Sequence, residues 1–187
     1  MDALLTAFVS AFLAEWGDKT QLVVAMLAAT TRRPFTVLAG LLLAALASNV
    51  VAAIAGIYIA ATINIRAMTL MVALALLFAG ASGLIRRKAP APAAPKRLLI
   101  VSAFILCLAA ELGDRTQFLT FALAGRFDSA PLATAGATAG VLAACLPAAL
   151  LGDKLGEVIP VRAIRYAGAG VFLITGFIVA VKALQLA

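Results

Sequence analysis

Two short stretches carry most of the ionisable chemistry that the apolar part of the chain holds. Glu15-Trp16-Gly17-Asp18-Lys19-Thr20-Gln21 recurs as Glu111-Leu112-Gly113-Asp114-Arg115-Thr116-Gln117, at an offset of 96 residues. Each copy gathers two carboxylates, a base, a hydroxyl and an amide inside an apolar run. Glu15 lies about twelve residues into its run, roughly 18 Å deep at a helical rise of 1.5 Å per residue. Ionisable groups at such depth cost about 2.5–3.5 kcal/mol each on insertion scales, so stability alone would place Leu there. Asp18 and Asp114 follow at i+3, so each is expected on the same helix face as its Glu, Glu15 or Glu111. Two such helices meeting would bring Glu15, Asp18, Glu111 and Asp114 together, with Thr20, Gln21, Thr116 and Gln117 adding neutral oxygens. Oxygen donors without His or thiolate select Ca²⁺, Mn²⁺ or Mg²⁺ over Zn²⁺ or Cu⁺. Four acids against Lys19 and Arg115 leave a formal charge of −2, which matches one divalent cation or two protons. Burial and like-charge crowding disfavour full ionisation, so protons compete with metal for the same oxygens. That competition is the physical core of cation/proton exchange, with Lys19 and Arg115 expected to tune it or to act as gating partners. The bland reading is a set of local i,i+4 ion pairs, Glu15–Lys19 and Glu111–Arg115, which leaves the excess of acids unexplained.

The elements that must position these groups follow from composition. The chain has 187 residues, 65% hydrophobic and 12% charged, with a mean hydropathy of +1.12. A soluble domain is about 45–50% apolar and about 25% charged, so too little polar surface exists here to face water. Apolar segments fall at 3–29, 35–61, 67–85, 98–125, 131–151 and 163–186. Runs of this length are read as helices, since a lone strand leaves its backbone unpaired in lipid and no barrel-like alternation is present. The net charge of +7 does not point to nucleic acid, because the bases gather in short loops. Asp2 ahead of the first apolar run gives no basic leader, so no signal peptide is expected. Cys107 and Cys145 lie within apolar runs and read as small buried fillers.

The offset of 96 holds without a gap well beyond the motifs, pairing Phe8 with Phe104, Gly40 with Gly136, Gly56 with Gly152, Arg66 with Arg162 and Gly80 with Gly176. Three spans per half make the second half enter from the opposite side. The expected fold is therefore an all-α polytopic membrane protein, with six transmembrane helices arranged as two inverted three-helix repeats. The repeats occupy 1–85 and 98–187, joined over 86–97 by a cytoplasmic basic linker rich in Pro and Ala. Ten Lys and Arg fall on one side (Arg32, Arg33, Arg86, Arg87, Lys88, Lys96, Arg97, Lys154, Arg162, Arg165) against three on the other (Arg66, Arg126, Lys182). That bias places the linker in the cytoplasm and both termini outside. Gly17 and Gly113 are suited either to a helix break that offers backbone carbonyls to an ion or to a close helix contact. Asn49 lies mid-span as a further oxygen ligand, opposite Cys145 in the repeat. Asp153 and Glu157 read as part of a solvated turn or a short interfacial helix, and Trp16 as packing.

The two motifs fit E-x-G-D-[KR]-[TS], and on them the chain resembles the GDT-type family of cation/proton exchangers. These occur in bacterial membranes, chloroplasts and the Golgi and handle manganese and calcium. The resemblance implies a cation and proton site at Glu15, Asp18, Glu111 and Asp114, with Thr20 and Thr116 at the last motif position. It implies no resident cofactor, with Mn²⁺ or Ca²⁺ as transported substrate, and export from the cytoplasm across a bacterial inner membrane. The expected partners are the metal ion, protons and membrane lipid, with a homo-oligomer left open. A membrane enzyme using carboxylates on a lipid phosphate is the alternative, but no Ser/Arg/Gly phosphate cluster flanks either motif. A non-transporting scaffold held by ion pairs would tolerate Glu15→Gln.

Overall fold

The computed structural model describes residues 1–85 and 98–185, and among these all regular structure is helical. The expected linker at 86–97 lies outside the described residues. In the first half come α1 (Asp2–Glu15), α2 (Lys19–Thr31), α3 (Pro34–Ala60) and α4 (Ile65–Leu84). The second half repeats them as α5 (Leu99–Glu111), α6 (Arg115–Phe127), α7 (Ala130–Leu151) and α9 (Val161–Leu184), with a 3₁₀ turn (Gly152–Lys154) and the short α8 (Leu155–Val158) before α9.

Four stretches are long and apolar enough to cross a membrane: Pro34–Ala60, Ile65–Leu84, Ala130–Val158 and Val161–Leu184. The first and fourth apolar segments of the sequence are instead each two shorter helices, α1 with α2 and α5 with α6. Sequence punctuation explains the other ends. Pro34 opens α3 at a position where its missing N–H costs nothing. The Asn64 side chain accepts from Ala67 N–H at 2.8 Å and caps the start of α4.

The two halves pack by exchange of equivalent contacts. Gly136 on α7 sits against the carbonyl of Leu4 on α1, and Gly40 on α3 sits against the carbonyl of Ile100 on α5, each residue being the 96-shifted counterpart of the other's. Likewise Gly80 faces Leu173 and Gly176 faces Leu77, which sets α4 and α9 antiparallel. Arg66, at the start of α4, donates to the carbonyls of Ala183 (2.6 Å) and Leu184 (3.0 Å) and so binds the far end of α9. Such close helix approach is what small residues at membrane-type interfaces permit.

The distribution of side chains is the reverse of a soluble protein. Large apolar groups such as Leu43, Val51, Ile105, Leu150, Ile174 and Phe177 point outward, while the interior holds many alanines together with Glu15, Asp18, Gln21, Asn49, Glu111, Asp114, Arg115 and several threonines. An exposed apolar surface of that extent needs a nonpolar surrounding. The chain is an integral membrane protein.

Candidate cation site

Both motifs interrupt a helix in the same way. Between α1 and α2, Trp16 is extended (φ −63°, ψ 121°), Gly17 is left-handed (φ +69°) and Asp18 is extended (φ −91°, ψ 176°). Between α5 and α6 the same sequence of conformations runs through Leu112 (−62°, 123°), Gly113 (φ +71°) and Asp114 (−85°, 165°). A left-handed residue inside a span is a glycine's place, since a Cβ there clashes with the backbone. The break is held by the glutamine that follows each motif. Gly17 N–H donates to Gln21 Oε1 at 2.9 Å, and Gly113 N–H donates to Gln117 Oε1 at 2.8 Å.

The break corrects the expectation that Glu and Asp share one helix face at i+3. Glu15 and Glu111 are the last residues of α1 and α5, at the carbonyl end of a half-helix. Asp18 and Asp114 are the N-cap residues of α2 and α6, at the amide end. The helix field favours an anion at the second position and a proton or metal ion at the first.

All four carboxylates are buried. Glu15 lies within electrostatic range of Glu111, Asp18, Asp114 and Arg115, and the Asp18 and Asp114 carboxyls lie within hydrogen-bonding reach of each other. The bases do not pair within their own motif. Lys19 Nζ is 3.7 Å from Asp114 Oδ1, and Arg115 Nη2 is 3.6 Å from Asp18 Oδ1, so each base reaches the aspartate of the other repeat. The i,i+4 pairs expected on a continuous helix are replaced by these crossed ones because the break swings the base away from its own Glu. The Arg115 guanidinium lies in a notch left by Gly83 beside Ala169.

Thr116 donates to Glu15 Oε2 at 3.4 Å, and the Cys145 thiol lies 4.0 Å from Glu15 Oε1. Thr20 stands beside Glu111 in the corresponding place, and neither buried oxygen of Glu111 completes a hydrogen bond. Among the described residues no three acidic or thiol groups converge tightly enough to cage a metal ion as they stand. A cation that takes both aspartates must therefore displace Lys19 and Arg115 from them.

Asn49 is buried one layer away. Its Nδ2 donates to Thr138 Oγ1 at 3.2 Å, its Oδ1 lies 3.0 Å from the Thr120 hydroxyl, and its carbonyl accepts from Thr134 at 3.4 Å. Thr120 also bonds the carbonyl of Thr116 at 2.9 Å. These polar groups form a file from Glu15 through α6 to α3 and α7. Sequence reasoning named Asn49 but missed Thr120, one turn beyond Thr116 on α6, and Thr134 and Thr138, one turn apart on α7, and gave Cys145 only a filling role. Gln21 spends its amide on the break and on the Ala144 carbonyl, to which Nε2 donates at 2.8 Å.

The chain matches the family described as "Divalent cation/proton antiporter GDT1" twice, over residues 3–91 and again over 99–187. It belongs to the GDT1 family. Each matched stretch contains one helix break. A relative from Vibrio cholerae serotype O1 (strain ATCC 39541 / Classical Ogawa 395 / O395), named "Putative manganese exporter", is 31% identical over 176 residues, covering 93% of this chain and 88% of its own length. No solved structure matches the chain. As a GDT1 family member the protein is a divalent cation transporter and not an enzyme.

Proposed function

We propose that the protein is a secondary antiporter that exports a divalent cation, Mn²⁺ or Ca²⁺, from the cytoplasm in exchange for protons, by alternating access at the paired helix breaks. The observation that carries this reading is the burial of Glu15, Asp18, Glu111 and Asp114 at two facing breaks, with Lys19 and Arg115 crossed between them. Broken helices with opposed ends are how transporters of inverted-repeat design hold an ion at mid-membrane. The name of the Vibrio relative favours Mn²⁺. The six spans are α1 with α2, α3, α4, α5 with α6, α7 and α9, and the exchange of equivalent contacts supports their reading as inverted repeats. The Lys and Arg bias supports a cytoplasmic linker and outer termini in a bacterial inner membrane.

In this mechanism the metal ion binds the four carboxylates, assisted by Thr20 and Thr116 and by the carbonyl ends of α1 and α5. Its two positive charges replace those that Lys19 and Arg115 bring to the aspartates. When the ion leaves, protons take its place at the carboxylates and restore neutrality. Gln21 and Gln117 hold the breaks open, and Asn49 with its threonines orders Thr116 against Glu15. Lipid surrounds the outer face, and no resident cofactor is required.

The test is proton flux in proteoliposomes with a trapped pH dye, with Mn²⁺, Ca²⁺ or Mg²⁺ added outside in turn. The expected result is cation-triggered proton movement in wild type that falls to the level of empty vesicles in Glu15→Gln and Glu111→Gln. Folded protein that moves no protons on cation addition, or variants that retain the flux, would overturn the proposal. Turnover of a lipid phosphate by the same preparation would favour the enzyme reading.

A further inference from the structure

Two cations are buried among the described residues, Arg115 and Arg165. Arg115 is held by Asp18, but Arg165, only 8% exposed, forms no ion pair and its Nε has no hydrogen-bond partner. Its guanidinium lies 5.0 Å from the Tyr166 ring, a contact that supplies no counter-charge. A buried charge without a counter-charge is costly and calls for an anion.

Arg165 faces a cavity of about 830 Å³ that also reaches Gly17, Thr30, Asp153, Arg162 and Ala163. Arg162 and Arg165 stand one turn apart at the start of the 24-residue α9. The residue before the helix is Pro160, which has no side-chain acceptor; the Val161 N–H is taken by the Ile159 carbonyl at 2.7 Å, while Arg162 and Ala163, which also line the cavity, carry no side-chain cap on their N–H groups. Asp153 is an exposed carboxylate on the opposing wall and pairs with neither arginine. Two guanidinium groups, the uncapped amides of Arg162 and Ala163 and the positive helix end make an oxyanion-binding arrangement, and planar guanidinium forks match phosphate oxygens in pairs.

We infer that this cavity binds a phosphate group, from an anionic phospholipid headgroup or from free phosphate, between Arg162, Arg165 and the first turn of α9. The cavity touches Gly17, and Arg165 packs directly over that glycine, so an anion here neutralises the charge that covers one helix break. The site is distinct from the carboxylates and does not depend on the transport reading.

The test uses the full chain in phosphatidylcholine nanodiscs. Inorganic phosphate is titrated by calorimetry, and in discs that also contain phosphatidylglycerol the retained lipid is counted by native mass spectrometry. Arg165→Gln should weaken whichever ligand binds by roughly tenfold or more. Lys182→Gln, which removes a charge at the other end of α9, should leave binding unchanged. Retention of phosphatidylglycerol without phosphate binding identifies a headgroup as the source, and binding of both identifies a general phosphate site. If Arg165→Gln does not fold, Arg162→Gln, whose side chain is exposed, carries the same expectation. Folded wild type that binds neither ligand, or equal losses in Arg165→Gln and Lys182→Gln, would overturn the inference.

Discussion

The breaks at Gly17 and Gly113 are nearly superimposable in backbone conformation, at φ +69° and +71°, yet their surroundings differ. A Cβ built on Gly17 would lie 3.0 Å from Arg165 Cδ and 3.2 Å from Val161 Cγ1, whereas one built on Gly113 would meet nothing within 4 Å. Gly113 opens instead, with Asp114 and Gln117, onto a cavity of about 670 Å³ whose other walls are apolar, among them Leu74, Phe78 and Phe121. The repeat counterpart of Arg165 is Thr69, which turns its hydroxyl back to the Ile65 carbonyl at 2.8 Å and covers nothing. The bases follow the same division, since Lys19 is 39% exposed and Arg115 only 3%. The duplicated motif thus fixes the shape of each break, and the unduplicated residues around it decide how each is closed. In the alternating-access reading, a bundle with one covered break and one bare break has two unlike sides, and transport requires that they exchange roles.

The largest test of that contrast lies in the crossed ion pairs. Arg115→Gln leaves Asp18 buried without its cation, a loss of about 3–5 kcal/mol for a broken buried pair. Lys19→Gln removes a partly solvated partner and should cost about 1 kcal/mol or less. Denaturant unfolding in detergent reads both, and equal losses would show that the two breaks are electrostatically alike. Next come the glycines. Alanine at either position forces a left-handed conformation at about 1–3 kcal/mol. Gly17→Ala should cost more than Gly113→Ala, because only there does the new methyl meet Arg165 and Val161. Combining Gly17→Ala with Arg165→Ala should recover part of the excess, and strict additivity of the two would sever the contact on which the asymmetry rests.

Much of the site was legible in the sequence because carboxylates inside apolar runs stand out, and because their repetition at one offset cannot come from apolar bias. Glu15, Asp18, Glu111 and Asp114 were picked out that way, and all four are buried in the structure. The all-helical class was legible from run length alone. The break itself was not, since a glycine in a membrane helix serves close packing as readily as a turn, and local spacing does not distinguish them. From that single ambiguity followed the wrong helix face for the aspartates and the wrong partners for Lys19 and Arg115, which depend on contact between halves. Arg165 was counted with the loop bases that set orientation, but it lies one turn inside α9 and is buried. A count of charges by segment cannot see which way a side chain turns.

The smallest expected effect separates the two breaks at their shared support. Gln21 and Gln117 do the same work on the adjacent glycine N–H, at 2.9 and 2.8 Å. Gln21 is fully buried and its amide nitrogen also ties α2 to the Ala144 carbonyl of α7 at 2.8 Å, while Gln117 is half-buried and borders the open cavity. Removal of the first leaves the buried Gly17 N–H unpaired and cuts the tie to α7, and removal of the second leaves a donor that water can reach. Gln21→Ala should therefore destabilise by about 2–3 kcal/mol and Gln117→Ala by about 1 kcal/mol. Hydrogen exchange at the glycine amides gives the sharper reading. The Gly113 amide should lose its protection in Gln117→Ala without wider change, whereas Gln21→Ala should also loosen the α2 and α7 amides near Ala144. If both variants behave alike, the covering of the first break does not extend to the residue that holds it, and the asymmetry is confined to Arg165.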